Sequence, residues 1–365
     1  MRILRRGSYA LGVLAAAALL GGCNGSGGSQ SSGLTPSSGV RSYALNPSDT
    51  FVGVKWIGNV HPDHQKSWIS PDVQRAPRLL FVSDTATDDV DIFTMPDMAL
   101  KGTITGFNQP QGECSDKHGN VYVANTQATQ VEEYSRTGTL LNTYPDKSGY
   151  PVGCAVNPVN GDLAVANVSS FSGLGHVLLF TSPSSRPTML INPAQVSYFF
   201  LGYDIHGDLW VDGRDKQKNY IVSACGGFVC RTIQLTGGKI YFPGAVQWDQ
   251  KEYSWVLFDQ RCGNTTAACS YWVSGTGVLG QATNYQNSSG GAVCDMIQGV
   301  VAAYGKRYTA GSDYEYTGCP NAGNSSVNRW QYPAGGAPTN YATELVTQQP
   351  AGAAISTQNV NTPPQ

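Results

Sequence analysis

Along residues 79–332 the apolar positions gather in short runs with polar gaps between them: LLFVS at 79–83, VYVA at 121–124, LAVA at 163–166, LWV at 209–211 and WVLF at 255–258. β-Branched and aromatic residues bounded by Gly, Asn and Asp predict strands. In each run odd and even positions are both apolar, which predicts strands covered on both faces, as in packed sheets. Past the N-terminus no long stretch repeats apolar residues at i, i+3, i+4, so helices are not expected.

The runs recur. Residues 110–134 read PQGECSDKHGNVYVANTQATQVEEY, and from Pro151 the chain reads PVGCAVNPVNGDLAVANVSS and closes with HVLLF at 176–180. The shared grammar is Pro-x-Gly, a short apolar run, a Gly-Asn or Gly-Asp turn, a second run ending in Ala-Asn, and a third ending in an aromatic residue. The polar residue that ends each second run marks the period: Asp84, Asn125, Asn167, Asp212 and Asp259, at intervals of 41, 42, 45 and 47 residues. Third strands are expected at 90–93, 131–134 and 177–180, and fourth strands at 100–105, 140–144 and 339–345. A looser sixth unit is expected from 299–304, 307–310 and 327–332. A period of this length with four short strands per unit predicts an all-β fold, a six-bladed β-propeller of four-stranded antiparallel blades. The unit at 78 lacks a Pro-x-Gly strand, so residues 51–57 or the C-terminal region are expected to supply it and remove the open edge. The expected organisation is a single propeller with its lead-in at 39–347 and a Gln/Ala/Thr/Pro-rich, disordered tail at 348–365.

The stretch 110–138 resembles the NHL repeat on Pro110, Gly112, Asp116, Gly119-Asn120, the strand 121–125 and Tyr134. The likeness is strongest in the second unit and fades beyond Phe242. It implies the propeller fold, whereas function varies among such propellers. Calcium-dependent lactonases of the gluconolactonase or senescence-marker type share the six-bladed fold and keep Asn or Asp ligands between the Pro and the Gly. Gln111 and Val152 occupy those positions here, and Val152 has no oxygen to offer a hard cation.

The first residues change the picture. Arg2, Arg5 and Arg6, an apolar run over 11–20 and Leu20-Gly21-Gly22-Cys23 read as a cleaved secretory signal, residues 1–22. About 10 to 12 apolar residues are too few to span a bilayer. Leu20-Gly21-Gly22-Cys23 resembles the bacterial lipobox, which implies a lipid on Cys23 and a cell-envelope location at the outer membrane or cell surface; the alternative is a soluble secreted chain. Residues 23–38 form a Gly/Ser-rich flexible tether.

Composition narrows function by exclusion. With 43 Gly, 19 Tyr and 13% charged residues the chain suits an extracytoplasmic β protein. A formal net charge of −2 argues against nucleic acid as a partner. Nine Cys less Cys23 leaves an even number, so disulfides are expected: Cys225 with Cys230, Cys262 with Cys269, and Cys294 with Cys319. Cys114 and Cys154 either bond or stay as buried thiols. No C-x-x-C pair marks a metal site. The polar residues Asp84, Asn125, Asn167, Asp212 and Asp259 could form a ring of oxygen ligands, but Asx residues after a strand more commonly start the next turn. No Gly-x-Ser-x-Gly elbow or phosphate-binding glycine motif appears. Trp210, Trp248, Trp255, Trp272 and Trp330 either fill the space between blades or line a carbohydrate surface.

These readings lead to an envelope-anchored, monomeric lipoprotein whose propeller is a non-catalytic binding or scaffold module for a protein, small-molecule or glycan ligand. No catalytic residue, metal ligand or cofactor is expected. The alternative is an exported metal-dependent lactonase using Ca2+ at the channel mouth.

Overall fold

The structure is a computed structural model that describes residues 66–227, 229–265, 267–287, 290–291, 293, 296–301, 308–313, 325–343 and 349–358. The signal segment 1–22, the tether 23–38, residues 39–65 of the lead-in, and Cys23, Cys294 and Cys319 lie outside them.

Six antiparallel sheets form the six blades of a propeller. In inner-to-outer order the second blade is Pro110–Ser115, Val121–Asn125, Gln130–Tyr134 and Leu140–Pro145. The third is Gly149–Val156, Leu163–Ser170, Gly173–Phe180 and Thr188–Leu190. The fourth is Ser197–Tyr203, Leu209–Arg214, Tyr220–Gly226 and Val229–Ile233. The fifth is Pro243–Asp249, Ser254–Asp259, Cys269–Val273 and Leu279–Asn284. The sixth is Met296–Val301, Tyr308–Asp313, Ser326–Gln331 and Asn340–Thr343.

The first blade is closed by the end of the chain. Ala354–Thr357 pairs with Arg78–Asp84, placing Leu80 opposite Ile355, and Asp89–Thr94 and Leu100–Thr105 follow outward. Trp68–Ile69 adds a fifth strand outside Leu100–Thr105. This corrects the expected disorder of 348–365, because residues 349–358 include the innermost strand of a blade. The physical reason is small side chains on a crowded axis: Ala351, Ala353, Ala354 and Ile355 are all buried. Pro350-Ala351-Gly352 is itself a Pro-x-Gly, concealed in a segment of low-complexity composition.

Alternate residues of each strand serve different cores. Leu79 and Phe81 pack with Val121, Val123 and Tyr134 of the second blade, while Leu80 and Val82 pack with Ala310 and Val327 of the sixth. Equivalent clusters fill the other seams, such as Tyr122 and Tyr144 against Leu163, Val165 and Phe180. Four of the tryptophans belong to these seams or their edges: Trp210 stacks on Trp255 at 4.6 Å, Trp248 meets Trp255 edge-on, and Trp330 is buried against Tyr285. Trp272 is exposed.

Pro-x-Gly has a steric reading. Pro110 and Pro243 open inner strands, where a missing N–H costs no ladder bond, Pro151 is the third residue of one and Pro350 precedes one; the four stand opposite Asn125, Asp259, Asn167 and Asp84 respectively. At three of these entries the glycine touches the next blade. A Cβ on Gly112 would lie 2.4 Å from the Val152 carbonyl oxygen, one on Gly153 2.4 Å from that of Phe199, and one on Gly352 2.2 Å from that of Gln111.

Among the described residues three disulfides are present. Cys225–Cys230 and Cys262–Cys269 are the two expected local staples, and Cys114–Cys154 joins the inner strands of the second and third blades. The last closes a 40-residue separation, for which the chain-entropy account gives roughly 4 kcal/mol.

Gly352→Ala is expected to destabilise the protein by about 1–3 kcal/mol, the cost typical of forcing an extra group into a packed site. Gly226→Ala, where a Cβ meets nothing within 4 Å, is the control. Denaturation midpoints of the two variants check this; equal midpoints would remove the steric reading of the closing strand.

Candidate functional site

Second strands end, and inner strands begin, at one face of the propeller. The polar column lies on that face, buried, and its groups mostly hold backbone. Asp84 Oδ1 accepts from Ala86 N at 2.9 Å and Gln349 N at 3.0 Å. Asn125 Oδ1 accepts from Asn108 N at 2.8 Å, and Asp212 Oδ1 from Phe200 N at 2.9 Å. Asp259 accepts from Tyr241 N, Phe242 N and Arg261 N. Asn167 instead donates to Asp146 Oδ2 at 2.6 Å. The column thus ties each second strand to the segments entering the inner strands. Asp313 holds the same register in the sixth blade, opposite Met296; the sequence reading missed it because that unit departs from the repeat.

The lactonase resemblance would place a calcium ion at this mouth. Gln111 and Val152 are both buried, Val152 has no donor, and most oxygens of the column accept backbone N–H groups. Among the described residues no three His, Cys, Asp or Glu side chains are grouped to hold a metal. This donor set does not fit a hard cation, which needs six to eight converging oxygens.

Carboxyl groups gather at the first and second blades. Burial raises Asp89 to about 7 against the Thr87 hydrogen bond, with the Asp84 and Asp88 charges adding to the rise. Burial and then the Asp89 charge push Asp91 to about 8, opposed by the hydrogen bond from Thr103. Burial also raises Glu113, which the Ala354 backbone N–H partly offsets. In the second blade Glu132 accepts from Asn125 Nδ2, Gln130 Nε2 and Tyr134 Oη, and Glu133 from Asn120 Nδ2 and Asn142 Nδ2. Neutral amides and phenols hold these carboxylates.

On this face the third blade runs past the polar column. Its second and third strands continue past Asn167 to Ser170 and Gly173, which pair across the two-residue turn Phe171-Ser172. Phe171 meets Tyr150 edge-on at 5.3 Å, and Phe171 and Leu174 are 40% and 62% exposed. A polar network braces the base of this hairpin. Asp146 Oδ1 accepts from Ser148 N and Ser148 Oγ, at 2.9 and 2.8 Å, and the Ser148 hydroxyl lies 2.7 Å from His176 Nε2. Phe171 N donates to the Ser148 carbonyl at 3.0 Å. The sequence showed no partner for His176, because Ser148 lies 28 residues away in the loop arriving from the second blade. Burial lowers the His176 pKa, against the Asp146 charge and a backbone hydrogen bond with Leu174.

Between the fourth and fifth blades the same face is cationic. Arg214 and Arg261 place their guanidinium carbons 4.7 and 5.3 Å from the Phe242 ring centroid, and Lys239 Nζ sits 4.7 Å from that of Tyr241. Lys239 also lines a cavity of ≈ 560 Å³, with Lys216, Tyr220 and Ile240 in its wall.

Two pH dependences follow. The unfolded chain's His176 titrates near 6.5, whereas the native imidazole resists protonation, so the unfolded state binds more protons as pH falls and stability drops. His176→Asn is expected to flatten that fall between about pH 7 and pH 5 in denaturation midpoints; an unchanged slope would refute it. Asp91 has the opposite sign. Native Asp91 keeps a proton to about pH 8 that the unfolded chain loses near 3.8, so its contribution erodes as pH rises through that window. Asp91→Asn should gain stability over the parent as pH rises from about 4 to 8, visible in parallel denaturation curves.

Comparison with known proteins gives a family. NHL-repeat-containing protein 4 of Mus musculus is 33% identical over 104 residues, which is 27% of this chain and 73% of the mouse protein. No family model matches the chain. A chain in the crystal structure of a nidogen/laminin complex has a TM-score of 0.57 at 13% identity, covering 77% of this chain and 99% of that one. A Bacteroides caccae protein of unknown function has a TM-score of 0.56 at 11% identity, with the same coverages. Identities this low speak for the fold alone. The mouse relative, most of whose length the chain covers, speaks for kinship as well: the chain belongs to the NHL-repeat proteins.

Proposed function

We propose that this NHL-repeat propeller is a non-catalytic binding module, held at a bacterial cell envelope by a lipid on Cys23 and recognising a partner protein through its loop face. The observation that carries the binding reading is the blade-three hairpin. It runs past the polar column, it is braced by Asp146, Ser148, Asn167 and His176, and it presents Phe171 and Leu174 to solvent. A rigid support with an apolar tip loses little conformational entropy on binding, and exposed aromatic side chains are favoured anchors at interfaces. The polar column supports the same reading, since most of its oxygens serve the backbone. A chain of the same fold occurs in a nidogen/laminin complex, so the architecture is found within protein assemblies.

The anchoring part of the proposal rests on Leu20-Gly21-Gly22-Cys23, followed by the tether at 23–38. One acyl chain gives marginal membrane binding and several give stable anchoring. Cys23→Ala should therefore move the protein from the membrane fraction to the soluble fraction, as read by immunoblot of fractionated cells. An unchanged distribution would reject the anchor.

The binding face is tested with a photo-crosslinking residue placed at position 171, at 174, or at 159 on the opposite face. Val159 is as exposed as Leu174, at 62%. Discrete adducts in intact cells are expected from 171 and 174, lost when the other position is changed to Ser, and absent from 159. The same pattern from all three sites, or chelator-sensitive hydrolysis of lactones by the purified protein, would overturn the reading.

A further inference from the structure

A cavity of ≈ 770 Å³ lies in the outer part of the seam between the second and third blades. Three segments wall it. Lys147 and Ser148 lie between the outer strand Leu140–Pro145 of the second blade and the inner strand Gly149–Val156 of the third. Leu178 and Phe180 come from the strand Gly173–Phe180, and Arg186 and Met189 from the turn and the outer strand that follow it. The apolar part of this wall is fixed. Leu178 and Phe180 are buried, and the Phe180 ring meets Tyr144 of the second blade edge-on at 5.7 Å. Met189 stands directly opposite Leu178 in the ladder, so their side chains share one face of the sheet. That face is turned to the second blade, where Leu178 packs with Tyr122 and Tyr144. Met189 is 51% exposed there, an adaptable thioether beside a buried apolar surface.

The charge of the wall has one sign. Among the described residues that line it, Lys147 and Arg186 are the charged ones, and neither has a carboxylate within ion-pairing distance. The acid next to Lys147 in sequence, Asp146, is buried and engaged by its own surroundings: it accepts from Ser148 N, Ser148 Oγ, Gly149 N and Asn167 Nδ2. Those bonds also pin the chain beside Lys147. The turn carrying Arg186 is held too, because Ser185 Oγ accepts from Ser182 N and donates to the Ser182 carbonyl. A small inorganic anion would leave the apolar wall wet, and a neutral apolar molecule would cover the two cations without answering their charge. An anion with an apolar body satisfies both parts of the wall.

We propose that this cavity binds an amphiphilic carboxylate, a fatty-acid-like molecule whose acyl chain lies against Leu178, Phe180 and Met189 and whose negative charge Lys147 and Arg186 attract. Its volume is of the order usual for small-molecule sites, roughly 300–1,000 Å³. The site goes beyond the partner-protein reading and rests on other side chains. It shares Ser148 with the brace of the blade-three hairpin, and neither cation belongs to that brace. Docking of the same wall on an anionic bilayer is the competing outcome, and the test has an arm for it.

The test uses the full chain carrying Cys23→Ala, so that no lipid on Cys23 competes for the cavity. Decanoate and its uncharged counterpart decanol are titrated by calorimetry at concentrations where neither aggregates. Saturable decanoate binding is expected, weakened by added salt. It should be tighter than decanol binding by about tenfold or more, the size of one charge-assisted hydrogen bond. A Lys147→Gln/Arg186→Gln double variant should bring decanoate to the level of decanol. Met189→Ser should weaken both ligands, and Lys251→Gln on the fifth blade should change neither. Lys147, Arg186 and Met189 are exposed, so these variants should melt like the parent. No saturable decanoate binding, the result if a second copy or another segment of the chain fills the cavity, would overturn the proposal. Equal affinity for the two ligands, or decanoate affinity unchanged in the double variant, would do the same. Sedimentation with phosphatidylcholine vesicles containing phosphatidylglycerol completes the test: association with them in the absence of decanoate binding would replace the ligand site with a membrane-docking surface. The crosslinks at 171 and 174 report on different side chains, so failure of either reading leaves the other standing.

Discussion

Everything in this molecule depends on how closely six inner strands crowd one axis. Where Gly112, Gly153 and Gly352 face the carbonyl oxygens of Val152, Phe199 and Gln111, the approach leaves no room for a Cβ. That proximity brings the blades together at the centre, and their twist then opens wedge-shaped seams outward. The seams are filled by apolar side chains from both flanking blades, so every strand must be apolar on both faces. Closure is part of the same constraint. The ring is complete because the last described segment returns to pair with Arg78–Asp84, which covers the edge an open sheet would leave.

Polar groups are arranged by the same logic. A strand entering the crowded centre must surrender its N–H groups to something, since buried backbone donors go unpaired at a cost of about 1–3 kcal/mol. Asp84, Asn125, Asp212 and Asp259 meet that need on the loop face. Their use there explains why a column that looks like a ligand ring in one dimension is an architectural device in three. The feature left for recognition lies outside it, in the hairpin of the third blade with Phe171 and Leu174 exposed.

Placing His176→Asn beside Asp91→Asn separates two consequences of burial. A buried imidazole resists its charge and a buried carboxyl resists its own, so the two groups pull stability in opposite pH directions. One braces the exposed hairpin, and the other belongs to the seam beside the closing strand.

The chain alone determined the architecture. Short runs apolar at every position, Gly-Asn and Gly-Asp turns and a period near forty residues can bury their faces only by stacking around a ring, and Cys225–Cys230 and Cys262–Cys269 were legible because their partners are close in sequence. What the tertiary structure decided is what joins distant segments. Pro350-Ala351-Gly352 was hidden by its composition, because the signal for an inner strand is the space a neighbouring carbonyl leaves and not the polarity around it. Cys114 bonds to Cys154 because adjacent inner strands bring them together. Ser148 meets His176, and Arg214 and Arg261 meet at the Phe242 ring, through contacts that no local pattern encodes. Local chemistry writes strands and turns, whereas the sites on the loop face arise from strands of different blades arriving at one place.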